Sequence, residues 1–230
     1  MRTIGIIGGM SWESSAQYYA IINREVRKRL GAPHSAKILM HSLDFGEVEK
    51  LQHAGEWGAL GDRLAESALA LKAGGADLII IATNTMHKLA GEVEEACNLP
   101  LLHIADPTAE AIKAQGFTQV GLLGTAFTME QDFYRGRLQE KHGLEVLIPE
   151  DTDRAEAHRI IYQELVNGEV REESREIYRG VIARLVENGA GAIILGCTEI
   201  MLLVSPEDSA VPLFDTTLLH ANAAANAALR

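Results

Sequence analysis

Gly191-Ala192-Ile193-Ile194-Leu195-Gly196-Cys197-Thr198-Glu199-Ile200 is an apolar run that delivers one cysteine to its carboxyl end. In open α/β sheets ligands collect outside the carboxyl ends of parallel strands, so a thiol in that place meets a cleft and not a core. An earlier stretch, Leu78-Ile79-Ile80-Ile81-Ala82-Thr83-Asn84-Thr85, has the same build: a buried strand, a small residue, then hydroxyl and amide groups. Outward from these two stretches, strand and helix patterns alternate along the chain, which argues an α/β fold of parallel sheets with right-handed crossovers.

In the first half, strands are expected at 3–10, breaking into a glycine loop, and at 37–42, 78–82 and 99–104. Helices are expected from a cap at Ser11 or Ser14 to Gly31, then at 57–73 and 86–96, with a short helix or loop at 45–53. The second half repeats the order, with strands at 119–125, 145–148, 192–195 and 211–215 and helices at 109–115, 127–140, 154–166, 174–188 and 217–229. Three landmarks pair up: Gly8 with Gly124, 116 residues apart, Thr83 with Cys197, 114 apart, and Pro100 with Pro212, 112 apart. Near-constant offsets are what an internal duplication produces, although any α/β chain shows strands ending in Gly or Thr at loose intervals. Duplication predicts two similar, pseudo-symmetric lobes, 1–104 with 211–230 and 105–210, that put Thr83 and Cys197 on opposite walls of one cleft.

A chain of 230 residues can bury a substantial core, as one large α/β domain or two smaller ones. The formal net charge of −11 opposes binding to nucleic acid or an anionic membrane surface. Glu13 follows the amino end too soon for a signal peptide, and no apolar run approaches the ~18 residues of a membrane span. A cytoplasmic protein is expected. The two cysteines, Cys97 and Cys197, are expected to stay unpaired in that compartment. Cys97 closes an amphipathic helical pattern and reads as a small half-buried hydrophobe.

Cys197 has two readings. A thiol has a reference pKa near about 8.5, and a helix amino terminus beginning at Thr198-Glu199 would lower it further by stabilising the thiolate. The alternative is a buried structural cysteine. Thr83-Asn84-Thr85 and Thr198-Glu199 supply hydroxyls and backbone N–H groups at two helix starts, which bind carboxylate or phosphate without a basic side chain; plain N-capping explains the same residues. His87, four residues after Thr83, would polarise its hydroxyl, or simply cap or pack. Gly5, Gly8 and Gly9 miss the dinucleotide fingerprint, no Gly-Lys-Ser/Thr follows for a phosphate loop, and a tight turn explains them. None of the eight histidines stands at zinc-ligand spacing with a cysteine, so no structural metal is expected.

Gly5-Ile6-Ile7-Gly8-Gly9-Met10-Ser11-Trp12-Glu13-Ser14, Thr83-Asn84-Thr85-Met86-His87-Lys88, Leu122-Leu123-Gly124-Thr125 and Gly196-Cys197-Thr198-Glu199 together resemble the aspartate/glutamate racemase family. The likeness runs from the first strand to the terminal helix. It implies two Rossmann-like lobes, an active site in the cleft between them, racemisation of a dicarboxylic amino acid without pyridoxal phosphate or metal, and a homodimer. In that family a cysteine at each strand end flanks the substrate α-carbon; one thiolate removes the α-proton while the opposite thiol delivers one. The resemblance gives Cys197 the role of the second cysteine. It places Asn84, Thr85, Thr198 and Glu199 around the substrate carboxylates, with Met10, Gln52 and Thr125 as further contacts.

The chain departs from the pattern at one position. Where the family reads Cys-Asn-Thr, this sequence has Thr83-Asn84-Thr85. A hydroxyl is far less acidic than a thiol and becomes a base only with a neighbour to take its proton. The resemblance therefore implies a racemase of aspartate or glutamate that is unequal between enantiomers. Its rivals are a one-cysteine decarboxylase or isomerase of a small dicarboxylate, and a non-catalytic acidic amino-acid-binding protein.

Overall fold

Ile4 to Ile7 and Leu78 to Ile81 present almost unbroken β-branched and leucine side chains, a pattern that suits strands covered on both faces. The computed structural model describes residues 1–230 and shows these segments as neighbours in one sheet. The chain forms two units, Met1–Ile104 with His220–Arg230, and Ala105–Leu219.

In the first unit β1 (Ile4–Gly8), β2 (Ile38–Ser42) and β3 (Leu78–Ile81) are parallel, in the order β2-β1-β3. The helix α1 (Trp12–Leu30) joins β1 to β2, and Ser11 caps it by accepting the N–H of Ser14. Two helices, α2 (Phe45–Ala54) and α3 (Trp57–Ala73), lead to β3, and α4 (Ala90–Cys97) follows a 3₁₀ turn, Thr85–Leu89.

The second unit opens with α5 (Ala105–Ala114), then β4 (Gln119–Gly124), α6 (Ala126–Glu130), α7 (Asp132–Gly136) and β5 (Glu145–Leu147). Next come α8 (Asp151–Gln163), α9 (Glu172–Glu187), β6 (Ile193–Gly196), α10 (Ile200–Leu203) and β7 (Leu213–Asp215), before α11 (Thr216–Leu229) ends the chain. Its sheet is also parallel, in the order β5-β4-β6-β7.

The two sheets repeat down to single bonds. The Ile79 N–H donates to the Pro100 carbonyl at 2.9 Å, and the Ile193 N–H to the Pro212 carbonyl at 2.9 Å. Gly5 pairs with Ile79 and Gly121 with Ile193. A Cβ on Gly5 would lie 2.8 Å from Cδ1 of Ile79, and one on Gly121 would lie 2.6 Å from Cδ1 of Ile193, so each sheet needs glycine at the same register position. Gly9 serves the other expected purpose: its φ of +88° makes the tight turn after β1.

Packing follows the two-residue period of the strands. Ile7, Ile79 and Ile81 meet Leu60, Leu64 and Ala68 of α3 and Val93 and Cys97 of α4. On the opposite face Ile4, Ile6, Leu78 and Ile80 meet Tyr18, Ile22 and Val26 of α1 and Ala221, Ala224, Ala225 and Ala228 of α11. Each large side chain so buried contributes roughly 1.5–3 kcal/mol. No helix is long and apolar enough to cross a membrane.

Several expectations need correction. Residues 99–104 make no strand, only a single bridge of Leu101 to Ile79, because Pro100 has no N–H and the chain turns into α5 at Ala105. The helix expected over 127–140 is broken where Gln131 turns extended, and it ends in a π-helical turn, Arg137–Lys141. That turn points Arg137, Lys141 and then His142 at one carboxylate, Asp106, at 2.7, 2.8 and 2.9 Å. Cys97 is fully buried. Residues 211–219 belong to the second unit, because β7 pairs with β6; the return to the first unit begins at His220.

Candidate active site

In the first unit the turns after β1 and β3 leave the same sheet edge, since Ile7 pairs with Ile81 and the Ala82 N–H donates to the Ile7 carbonyl. Met10 lies on the first turn, buried in one cluster with Met86 and Val48. Gln52 is buried one helical turn after Val48 on the same face of α2. Thr83, half-buried, stands on the second turn with Asn84 and Thr85 buried behind it. Neither Asn84 nor Thr85 is spent as an N-cap: the 3₁₀ turn that starts at Thr85 has no side-chain cap.

His87 does not do what its spacing from Thr83 suggests. Its Nε2 accepts the Ile104 N–H at 3.1 Å, so the ring proton is on Nδ1, which donates to the Thr83 carbonyl at 2.8 Å. Both nitrogens are engaged, and neither serves the Thr83 hydroxyl. Burial, then the neighbouring rings of His103 and His220, push its pKa well below the usual histidine value and keep it neutral.

In the second unit Thr125 and Cys197 follow adjacent strand ends, where Gly124 pairs with Gly196. Thr125 caps α6, its Oγ1 accepting the N–H of Thr128 at 3.3 Å. The Cys197 thiol donates to Oε2 of Glu199 at 3.0 Å, and the Thr198 hydroxyl donates to the same oxygen at 2.8 Å. The helix-terminus expectation for Cys197 is overturned. Burial raises its pKa well above the thiol reference and the Glu199 carboxylate raises it further, while the backbone N–H groups of Glu199 and Thr198 pull the other way and lose. Behind Cys197 the helix α10 has only four residues, too few for a strong terminal field. At rest Cys197 is a thiol whose proton is directed at the Glu199 carboxylate.

The half-buried ring of His158 also reaches this edge. Nδ1 of His158 accepts the N–H of Ala126, next to Thr125, at 3.2 Å, and its ring packs near Tyr162, 4.7 Å between centroids. A separation of 32 residues gave no periodic signal for it.

Residues 7–224 match the family model described as Asp/Glu/Hydantoin racemase. The chain belongs to that family. Both strand ends, Thr83 and Cys197, fall within the match. A candidate Asp/Glu racemase from Yersinia pestis is 56% identical over the whole of both chains, with a TM-score of 0.93. An aspartate racemase homologue from Pyrococcus horikoshii OT3 is 35% identical, again over the whole of both chains, with a TM-score of 0.85. The broad specificity amino-acid racemase RacX of Bacillus subtilis is 22% identical across 93% of this chain and 92% of its own. The family is one of amino-acid racemases that work without pyridoxal phosphate.

Proposed function

We propose that the protein racemises aspartate or glutamate by α-proton removal and return, with Cys197 as the principal acid/base and Thr83 in the partner position. The reading rests on one observation above the rest: the Cys197 thiol is bonded to Glu199, 3.0 Å away, at the end of the buried strand equivalent to the one that ends before Thr83.

The steps balance. Glu199 takes the thiol proton, the thiolate takes the α-proton, and the resulting carbanion spreads its charge into the α-carboxylate. The buried N–H donors near Asn84, Thr85, Thr198 and Glu199 stabilise that charge best in a dry site. A proton then reaches the opposite face from the Thr83 hydroxyl, or from water it holds, and bulk water restores the donor. Running backwards, the reaction requires Thr83 to start as a base, which a hydroxyl does poorly without a partner. Because the equilibrium constant of racemisation is one, kcat/KM is equal in the two directions, and the asymmetry shows at saturation as a higher kcat, with a proportionally higher KM, for one enantiomer.

The test is incubation with L- and D-aspartate and L- and D-glutamate in deuterated water, following deuterium at the α-carbon and optical rotation. Exchange with at least one amino acid supports the reading. Silence from all four, in the native chain and in Thr83→Cys, sinks it. The thiol-only side of the site favours one further reading, one-sided carbanion chemistry on a small dicarboxylate, and product analysis with malonates and maleate separates the two.

A further inference from the structure

We propose that His87 is a positioning residue that aims the Thr83 end of β3, by clamping the Thr83 carbonyl with Nδ1–H while its Nε2 holds the Ile104 N–H. The inference rests on the racemase reading only in what Thr83 is aimed at. The clamp itself is visible in the bond lengths, 2.8 Å to the Thr83 carbonyl and 3.1 Å from the Ile104 N–H.

Three features show that the clamp is built and not incidental. His87 is only 3% exposed, and its neighbours are two more buried imidazoles, His103 at 4.5 Å and His220 at 5.6 Å between ring centroids. His220 is itself oriented, with Nε2 donating to the Leu102 carbonyl at 2.7 Å and Nδ1 accepting the Tyr18 hydroxyl at 2.9 Å. The 102–104 segment is thereby tied to α1 by one histidine and to the Thr83 turn by the other. Ala82 is still bonded to the Ile7 carbonyl of β1, but residues 83–84 lie beyond that last sheet bond, so the sheet alone does not fix them. Reacting groups need placement to within a fraction of an ångström, and a misplacement of about 1 Å costs roughly 10²-fold in rate.

The test separates aiming from mere core packing. In His87→Asn the amide nitrogen takes the place of Nδ1 and still reaches the Thr83 carbonyl. In His87→Gln the amide reaches toward the place of Nε2 instead, and His87→Ala keeps neither bond. Val93→Ala, in the core of α4, serves as a variant that weakens the unit without removing either His87 bond. Expected are a fall of about tenfold or more in kcat for α-proton exchange in His87→Ala and His87→Gln, with KM within about threefold. His87→Asn is expected to stay within about threefold of the native rate, and Val93→Ala to melt lower at native kcat.

Equal losses in all three His87 variants, or a His87→Ala that melts lower yet keeps its kcat, would overturn the proposal. If the native chain moves no α-proton at all, the racemase reading falls by itself and amide hydrogen exchange decides this one. His87→Ala should then lose protection by about tenfold across 83–86 while β1 keeps its own. Retained protection at 83–86 would overturn it.

Discussion

The ends of β3 and β6 are the same backbone carrying different chemistry. Both strands pair with a glycine strand in the same register, and both donate an N–H to a proline carbonyl at 2.9 Å. Beyond the last residue of each strand they diverge. Thr83 has a hydroxyl, a far weaker acid than a thiol, and its carbonyl is held by a neutral imidazole. Cys197 has a buried thiol whose hydrogen bond ends on a carboxylate. Duplicated backbones thus supply equivalent positions without supplying equivalent acids.

The largest expected effect removes the stronger end. Cys197→Ala should lower α-proton exchange by about 10³-fold or more in both directions, within the range of a lost general acid/base; a variant within tenfold of native would show that the two ends are not a catalytic pair. Making the ends alike sharpens the comparison. Thr83→Cys should raise the kcat of the slower direction by about tenfold and bring the two kcat values together, as read by polarimetry with each enantiomer at saturation.

Glu199→Gln tests the carboxylate alone. The Glu199 charge pushes the thiol pKa up, so its removal should bring the pH midpoint of iodoacetamide alkylation at Cys197 down, while kcat falls about 10²-fold for want of a proton acceptor. A midpoint that moves upward would contradict the assigned cause.

The smallest effect compares the acid sensitivity of the two units. His87 is held neutral below its ordinary pKa, so the unfolded chain takes up a proton there first as pH falls. Its stability contribution is present above about pH 6.5 and declines below it, by at most about 1.4 kcal/mol per pH unit. Asp106 in the second unit is shifted the other way. Although burial works against it, the bonds from Arg137, Lys141 and His142 hold its carboxyl far below the usual range. Its contribution is present above the ordinary carboxylate pKa near about 4 and is lost only below that. Urea unfolding followed by amide exchange at pH 7.5 and 5.5 should show the first unit weakening and the Asp106 cluster unchanged.

Much of this was legible along the chain. The apolar runs Leu78 to Ala82 and Ala192 to Leu195, and offsets of 112 to 116 residues between landmarks, marked two like α/β halves. The placement of Thr83 and Cys197 after strand ends followed from local pattern as well. Broken elements were less legible. The interruption at Gln131 and the π-helical turn at Arg137–Lys141 go with long-range ion pairing to Asp106, which no window of neighbouring residues contains.

The sequence by itself determined which residues stand at the strand ends, because apolar runs and glycine turns are local properties of the chain. Only the tertiary structure decided their protonation and aim. Burial and a single shared carboxylate oxygen keep Cys197 a thiol, against the pull of the backbone N–H groups beside it. His87 reaches the Thr83 carbonyl and not its hydroxyl because Ile104, 17 residues on, claims the other nitrogen. Desolvation and hydrogen-bond geometry depend on what folds back from elsewhere, and no local pattern records that.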